Sequence, residues 1–197
     1  MEDTKSSQLL EIFKSSQLTA DQLKTILSYY EKTTISKNDL LLKEGMTSNE
    51  YFIVETGLLR SYAIDTEGND ITTGFFIEGD MVIEVASLFL RVPTKENIVA
   101  MTDCTLWKIR FDQFQELFHG IEAYREWGRS CLVQNFFGLK QRTLSMITDS
   151  AKDRYLHLQK TKPQVLLQAP LKHIASFMGI TDTSLSRIRK ELSTENN

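Results

Sequence analysis

The residues of this 197-residue chain best suited to chemistry lie near its end, in the stretch LKHIASFMGITDTSLSRIRK over residues 171–190. Thr181, Asp182, Thr183, Ser184 and Ser186 cluster at one point of the chain, and Arg187, Arg189 and Lys190 follow directly. Short polar side chains at a helix start reach base edges, and a basic run behind them reaches guanine or phosphate. Arg187 has the fork for bidentate pairing with guanine O6 and N7. Asp182 and Thr183 occupy the earlier reading positions. Ser184, Ser186 and Lys190, with Lys172 or His173, are placed to hold phosphates and fix register. Arg189 reads equally as a phosphate contact or a solvated charge. The partner implied is double-stranded DNA.

Such a face needs two short helices at a fixed angle, and the apolar residues provide them. Ile174, Ala175 and Met178 line one helical face, Gly179 breaks it, and Ile180, Leu185 and Ile188 line the next, which is the spacing of a helix-turn-helix. Gly179 takes a positive φ at little cost. Ala175 is small where the helices approach. Thr181 is the N-cap of the second helix, and Asp182 in its first turn is favoured by the helix dipole.

Upstream, residues 6–30 carry apolar side chains at helical spacing, interrupted at Ser15-Ser16-Gln17, with Thr19 and Gln22 spaced as a capping box. From Ile35 to Ile109 the period changes to short runs, LLL, YFIV, LLRSYAI, ITTGFF, MVIEVASLFL, NIVAM and TLWKI. Gly45, Gly57, Gly68, Gly74 and Gly79 punctuate them. That pattern predicts an antiparallel β-roll, with a hairpin turn at Thr66-Glu67-Gly68-Asn69. Phe111, Phe114, Leu117 and Phe118 then form a short amphipathic helix ending at Gly120.

A long helix follows from about Glu122 to Thr148, with Tyr124, Trp127, Cys131, Leu132, Phe136, Leu139 and Met146 as its apolar stripe. Gly128 and Gly138 inside it each cost roughly 1 kcal/mol relative to alanine, so packing must compensate. The stripe suits either a seam with a second copy or the core of its own roll. A further helix starts at Asp149 or Ser150 and ends by Pro163. Val165, Leu166 and Leu167 are too brief a run to assign, Pro170 suits the first turn of the next helix, and the tail after Leu192 is expected to fray.

Composition narrows the function classes. The chain has 41% hydrophobic and 25% charged residues and a formal charge of −3, ordinary for a globular protein. Residues 149–197 hold eight basic and five acidic side chains, so an acidic body of charge −6 precedes a basic end. Two cysteines, Cys104 and Cys131, neither hold an iron–sulfur cluster nor frame a disulfide scaffold. The three histidines, His119, His157 and His173, all lie outside the predicted strands, which argues against a cupin-type metal enzyme. No cofactor and no catalytic site are expected. The N-terminus lacks the pattern of a signal peptide and no run is long enough to span a bilayer, so a cytoplasmic setting without membrane contact is expected. A protein-interaction module built on the roll is the alternative. Salt separates the two, because phosphate contacts weaken steeply with ionic strength.

The order of elements resembles the Crp/Fnr superfamily of bacterial transcription regulators. The likeness is strongest in LLLKEGMTSNEYFIVETGLLRSYAIDTEG, similar to the first half of a cyclic-nucleotide-binding-type roll, and in IASFMGITDTSLSRIRKEL, similar to the family's recognition motif. The resemblance implies an α+β protein: N-terminal helices, an antiparallel β-roll of double-stranded jelly-roll type, a long dimerisation helix, and a winged-type helix-turn-helix. It divides the chain into an effector domain over 1–120, a dimerisation helix over 121–148 and a DNA-binding domain over 149–197. It favours a homodimer seamed by Tyr124, Trp127, Cys131, Leu132, Phe136 and Leu139. An activating member also contacts RNA polymerase, though no residue here marks that surface.

By the same resemblance, an effector pocket falls at Gly79, Asp80, Met81, Val82 and Glu84, with Arg91 or Lys95 offering a charge. The family's phosphate-binding Arg pair is missing, since its place falls near Thr94-Lys95. Glu78, Asp80 and Glu84 would repel a cyclic phosphate. The roll is thus expected to sense an unidentified small molecule, or none.

Overall fold

A computed structural model describes residues 7–14 and 16–195. The N-terminal helices are α1 (Ser7–Glu11) and α2 (Ala20–Tyr29). Thr19 caps α2 as its spacing predicts: Gln22 N donates to Thr19 Oγ1 at 3.2 Å and Thr19 N to Gln22 Oε1 at 3.0 Å.

Eight strands follow among the described residues: β1 (Glu31–Ile35), β2 (Leu40–Leu42), β3 (Glu50–Thr56), β4 (Leu59–Ile64), β5 (Asp70–Phe76), β6 (Met81–Val82), β7 (Asn97–Ala100) and β8 (Cys104–Arg110). They form two antiparallel sheets, ordered β1-β8-β3-β6 and β2-β7-β4-β5. Val54, Leu59, Ile98 and Leu106 fill the space between them. The β4–β5 hairpin turns at 65–69, where Gly68 has φ +86 and the Asp65 carboxylate accepts from Glu67 N and Asn69 N. These local hydrogen bonds hold Asp65 below the usual carboxylate range, the Asn69 side chain foremost.

Two expectations change within the roll. Strand β1 was not among the predicted runs, because EKTTI is a polar strand paired only with β8 at a sheet edge. The run MVIEVASLFL is not one strand. Only Met81–Val82 pair with β3, and Val85–Leu90 form helix α3. Glu84 decides this, its carboxylate accepting from Ser87 N at 2.6 Å as an N-cap that ends the strand.

Helices α4 (Phe111–Gly120) and α5 (Glu122–Thr148) match their predicted bounds. An aromatic cluster of Phe13, Tyr30, Tyr51, Phe114, Tyr124 and Trp127 ties α2, β3, α4 and α5 together. At its centre the hydroxyls of Tyr30, Tyr51 and Tyr124 close a buried triangle, with O···O distances of 2.6, 2.7 and 3.2 Å. Burial pushes all three phenols up, Tyr124 to about 12, so they remain protonated hydrogen-bonding groups.

Helices α6 (Ala151–Thr161), α7 (Pro163–Gln168), α8 (Leu171–Phe177) and α9 (Asp182–Glu195) complete the chain. Every described element after Arg110 is helical. The winged form of the helix-turn-helix is therefore corrected to an all-helical one among the described residues. Val165, Leu166 and Leu167, too brief a run to assign from sequence, lie in α7: Pro163, which follows the end of α6, also opens this helix at N1, and Val165 and Ala169 bury themselves in the helix-turn-helix core. The expected fraying after Leu192 is corrected as far as Glu195, where α9 ends, while Asn196 and Asn197 lie outside the described residues.

Candidate nucleic-acid interface and ligand cavity

Helices α8 and α9 pack through Ile174, Ala175, Met178, Leu185 and Ile188, all buried, as their spacing predicts. Ile180 N donates to Ala175 O at 3.0 Å across the turn. Thr181 Oγ1 accepts from Ser184 N at 3.2 Å and pairs with the Ser184 hydroxyl at 3.0 Å, so Thr181 is the cap and the half-buried Ser184 shares in it. Asp182, Thr183, Ser186, Arg187, Arg189 and Lys190 are exposed; at 100° per residue Thr183, Ser186, Arg187 and Lys190 fall on the side of α9 away from Leu185 and Ile188, with Asp182 and Arg189 at its flank. This is a polar helix face of net positive charge held rigid by a packed apolar one.

Gly179 has φ +64, a left-handed conformation that costs an L residue roughly 1 to 2 kcal/mol. A Cβ there would also meet Met146 Cε at 2.6 Å, though that methyl is the free end of a flexible side chain and moves cheaply. Gly179→Ala is therefore expected to lower unfolding stability by about that backbone cost. Urea denaturation checks it, and a variant as stable as wild type would remove the reason for glycine here.

The helix-turn-helix does not hang free of the roll. Thr72 N on β5 donates to Ser176 Oγ on α8 at 2.9 Å, and Lys162 Nζ bonds Asp80 Oδ2 at 2.6 Å and Phe75 O at 2.7 Å. Leu58 and Phe75 of the roll join the apolar core of the helical unit. Arg142 on α5 completes the junction. Its guanidinium donates to Thr73 O of the roll and to Phe177 O of α8 at 3.3 Å, and lies 4.1 Å over the Phe177 ring. One side chain thus touches long helix, roll and helix-turn-helix.

His173 faces this junction. Burial and the cations Arg60 and Lys172 draw its pKa below 6.5, with Asp70 and Asp182 opposing. The fold therefore favours the neutral ring. The resulting stability is full above about pH 6.5 and is lost as pH falls through the lowered value. Asp70 is also held low, since its pairing with the buried Arg60 outweighs its own burial, so it titrates below this window. Thermal melts at pH 7.5 and 5.5 should show a smaller loss on acidification for His173→Gln than for wild type.

Between the roll and α5 lies a cavity of about 690 Å³. Tyr51, Phe89, Phe114, Phe118 and Trp127 form one wall. Ser61, Thr73, Glu84, Glu96 and Arg142 supply polar groups. A smaller cavity of about 460 Å³ opens beside β2, with Val82 and Glu84 in its lining.

The apolar stripe expected along α5 proves to be two. Tyr124 and Trp127 are buried against the roll and the partly buried Cys131 packs with them. Leu132, Phe136 and Leu139 lie about a third of a turn away at 100° per residue and are exposed, Phe136 at 73%. Tyr124, Trp127 and Cys131 are thus corrected from seam to intramolecular core. Burial also pushes the Cys131 thiol up, as it does that of Cys104, and both are free cysteines. Val133, Phe137 and Ile147 join the exposed face, Ile147 at 78%.

Residues 32–120 match the family model for the cyclic nucleotide-binding domain. The fold is shared with FixK2 of Bradyrhizobium japonicum, at TM-score 0.73 and 16% identity over 85% of this chain and 86% of that one. It is shared too with a transcriptional regulator of the Crp/Fnr family from Eubacterium rectale, at TM-score 0.68 and 17% identity over 90% and 85%. In sequence, the anaerobic regulatory protein of Haemophilus influenzae is 32% identical over 199 residues, covering 95% of this chain and 76% of that protein. The chain belongs to the Crp/Fnr family. It is accordingly a DNA-binding transcription regulator, and its relatives are regulators rather than enzymes.

As a Crp/Fnr roll it departs from the expected effector residues. Met81 and Glu84 line the large cavity and Val82 the small one, but Gly79, Asp80, Arg91 and Lys95 line neither. Gly79 forms a turn with φ +84. Asp80 pairs with Lys162 across the domain junction. Arg91 caps α3 in a left-handed conformation and donates to Ser48 O and Asn49 Oδ1. Lys95 is exposed. Sequence reasoning missed Glu96 and Arg142, which meet the cavity from distant segments; their only signal was charge beside an apolar run. Among the described residues no group of three or more His, Cys, Asp or Glu side chains is placed to hold a metal, and no helix is long and apolar enough to cross a membrane.

Proposed function

We propose that the protein regulates transcription as a homodimer, with α9 of each copy in a major groove and half-sites about one helical turn apart. The exposed polar face of α9 carries this reading, because Thr183, Ser186, Arg187 and Lys190 are presented to solvent by a helix whose other face is locked in a core. Arg187 reads guanine, Asp182 and Thr183 contact neighbouring bases, and Ser186, Lys190 and Arg189 hold phosphates. Ser184, engaged in the cap, contributes mainly to helix geometry. The exposed stripe of α5 forms the seam through Leu132, Phe136, Leu139 and Ile147. RNA polymerase is a further partner if the outcome is activation. The roll senses a small molecule in the larger cavity, and Arg142 transmits its presence by shifting between two arrangements of the helix-turn-helix.

The test is selection of genomic fragments by the purified protein, with and without a metabolite extract, followed by a salt titration on the best fragment. A pseudo-palindrome and an affinity falling steeply with salt are expected. No enrichment under either condition would overturn the DNA reading for this chain.

A further inference from the structure

We propose that the cavity of about 690 Å³ between roll and α5 binds a largely apolar small molecule with a hydrogen-bond-donating head, a hydroxyl or an amine, and rejects anions. This rests on the reading of the roll as a sensor and names the chemistry sensed. The volume lies within the usual range for small-molecule sites, roughly 300 to 1,000 Å³. The aromatic wall of Phe89, Phe114, Phe118 and Trp127 offers ring faces and edges to an apolar body.

The polar end fixes the head group. Among the described residues Arg142 is the one arginine or lysine lining the cavity; it donates to two carbonyls and lies against the Phe177 ring, so a single guanidinium charge stands against two carboxylates. Glu84 gives one oxygen to Ser87 N, and the Thr73 hydroxyl, which donates to Ser61 Oγ at 2.8 Å, favours the ionised form of Glu96. Each carboxylate retains further acceptor capacity, and the two repel each other. What this end offers a ligand is therefore acceptors under negative potential, which pair with a hydroxyl or ammonium and oppose a phosphate or carboxylate. Burial raises the Glu96 carboxyl, and a donor placed on it would relieve that penalty. A cyclic nucleotide carries the wrong charge for this end.

The probe is N-phenyl-1-naphthylamine, a neutral aromatic amine that fluoresces in apolar surroundings, titrated into the full chain without DNA. Decanol, decylamine and decanoate, equal in chain length and different only in head, then compete for it. Decanol and decylamine should displace the probe at concentrations at least about tenfold below decanoate, the scale of one charge-assisted hydrogen bond. Glu96→Gln should remove most of the difference between decylamine and decanoate, and Ile83→Trp, which fills the cavity, should weaken probe binding. Cyclic AMP should not compete. Absence of saturable probe binding, binding untouched by Ile83→Trp in a protein of native circular dichroism, or displacement best achieved by decanoate would each overturn the proposal. Should Ile83→Trp not fold, the head-group preference and its loss in Glu96→Gln decide alone. Because no DNA is present, these results stand apart from operator selection: a silent cavity leaves DNA binding intact, and an empty selection leaves the cavity's chemistry readable.

Discussion

Arg187→Ala is expected to weaken operator binding by about 1 to 3 kcal/mol per half-site and to relax one base position symmetrically in both halves. Arg187 is exposed on α9 two residues after Leu185 and one before Ile188, both buried, so the backbone carrying it cannot swing away. Its planar fork pays little entropy to meet two acceptors on guanine. Lys190→Ala is the matched control. A phosphate contact carries no sequence information, so that variant should weaken all fragments alike and reduce the salt slope by about one. The measurement is repeated selection with each variant, plus a salt series on the wild-type site. Unchanged base preference in Arg187→Ala would move readout to Asp182 and Thr183.

Phe136→Glu should convert the protein to a monomer and cut affinity for a two-half-site operator by roughly 10² to 10⁴, the advantage of tethering two reading heads. Phe136 and Ile147 are the most exposed apolar side chains of α5, Phe136 near the middle of the helix and Ile147 at its C-terminal end. A contiguous face of this kind marks an interface. Two glutamates meeting there would bury unpaired like charges, which no seam tolerates. Because Tyr124 and Trp127 anchor the other side of α5 in the roll, the monomer should keep its fold. Sedimentation reads the oligomeric state, circular dichroism the fold, and gel shift the affinity. A dimeric Phe136→Glu variant would place the seam elsewhere.

Docking of the helix-turn-helix on the roll gives these predictions a common frame. Arg142, Lys162 and Ser176 are each bonded across the junction, and Arg142 also lines the cavity. Ligand in the cavity and orientation of α9 therefore share a side chain. Any coupling acts through the difference in ligand affinity between two arrangements of that junction.

The helix-turn-helix, the bounds of α4 and α5, the capping box at Thr19 and the hairpin at Gly68 were legible in the chain alone. Each is a local pattern: an apolar period, a cap three residues from its partner, a glycine where φ must be positive. The resemblance to the Crp/Fnr family was legible for the same reason, since it rests on the order of such patterns. Glu84 was visible as a charge but not as a cap, so α3 read as strand. Val165, Leu166 and Leu167 were too short a run for a period to show, and the burial of Val165 in the neighbouring core is a tertiary contact that no local pattern reports.

What tertiary structure alone decided was which face of each element meets which neighbour. The α5 sequence offers one broad apolar set, and contact with the aromatic cluster assigns Tyr124 and Trp127 inward and leaves Phe136 outward. The cavity gathers Tyr51, Glu84, Glu96, Phe118 and Arg142 from segments far apart in sequence. No spacing rule connects residues so separated, because their meeting depends on how two sheets and a helix pack. Periodicity reports the environment of a residue relative to its own element, and a binding site is a relation between elements.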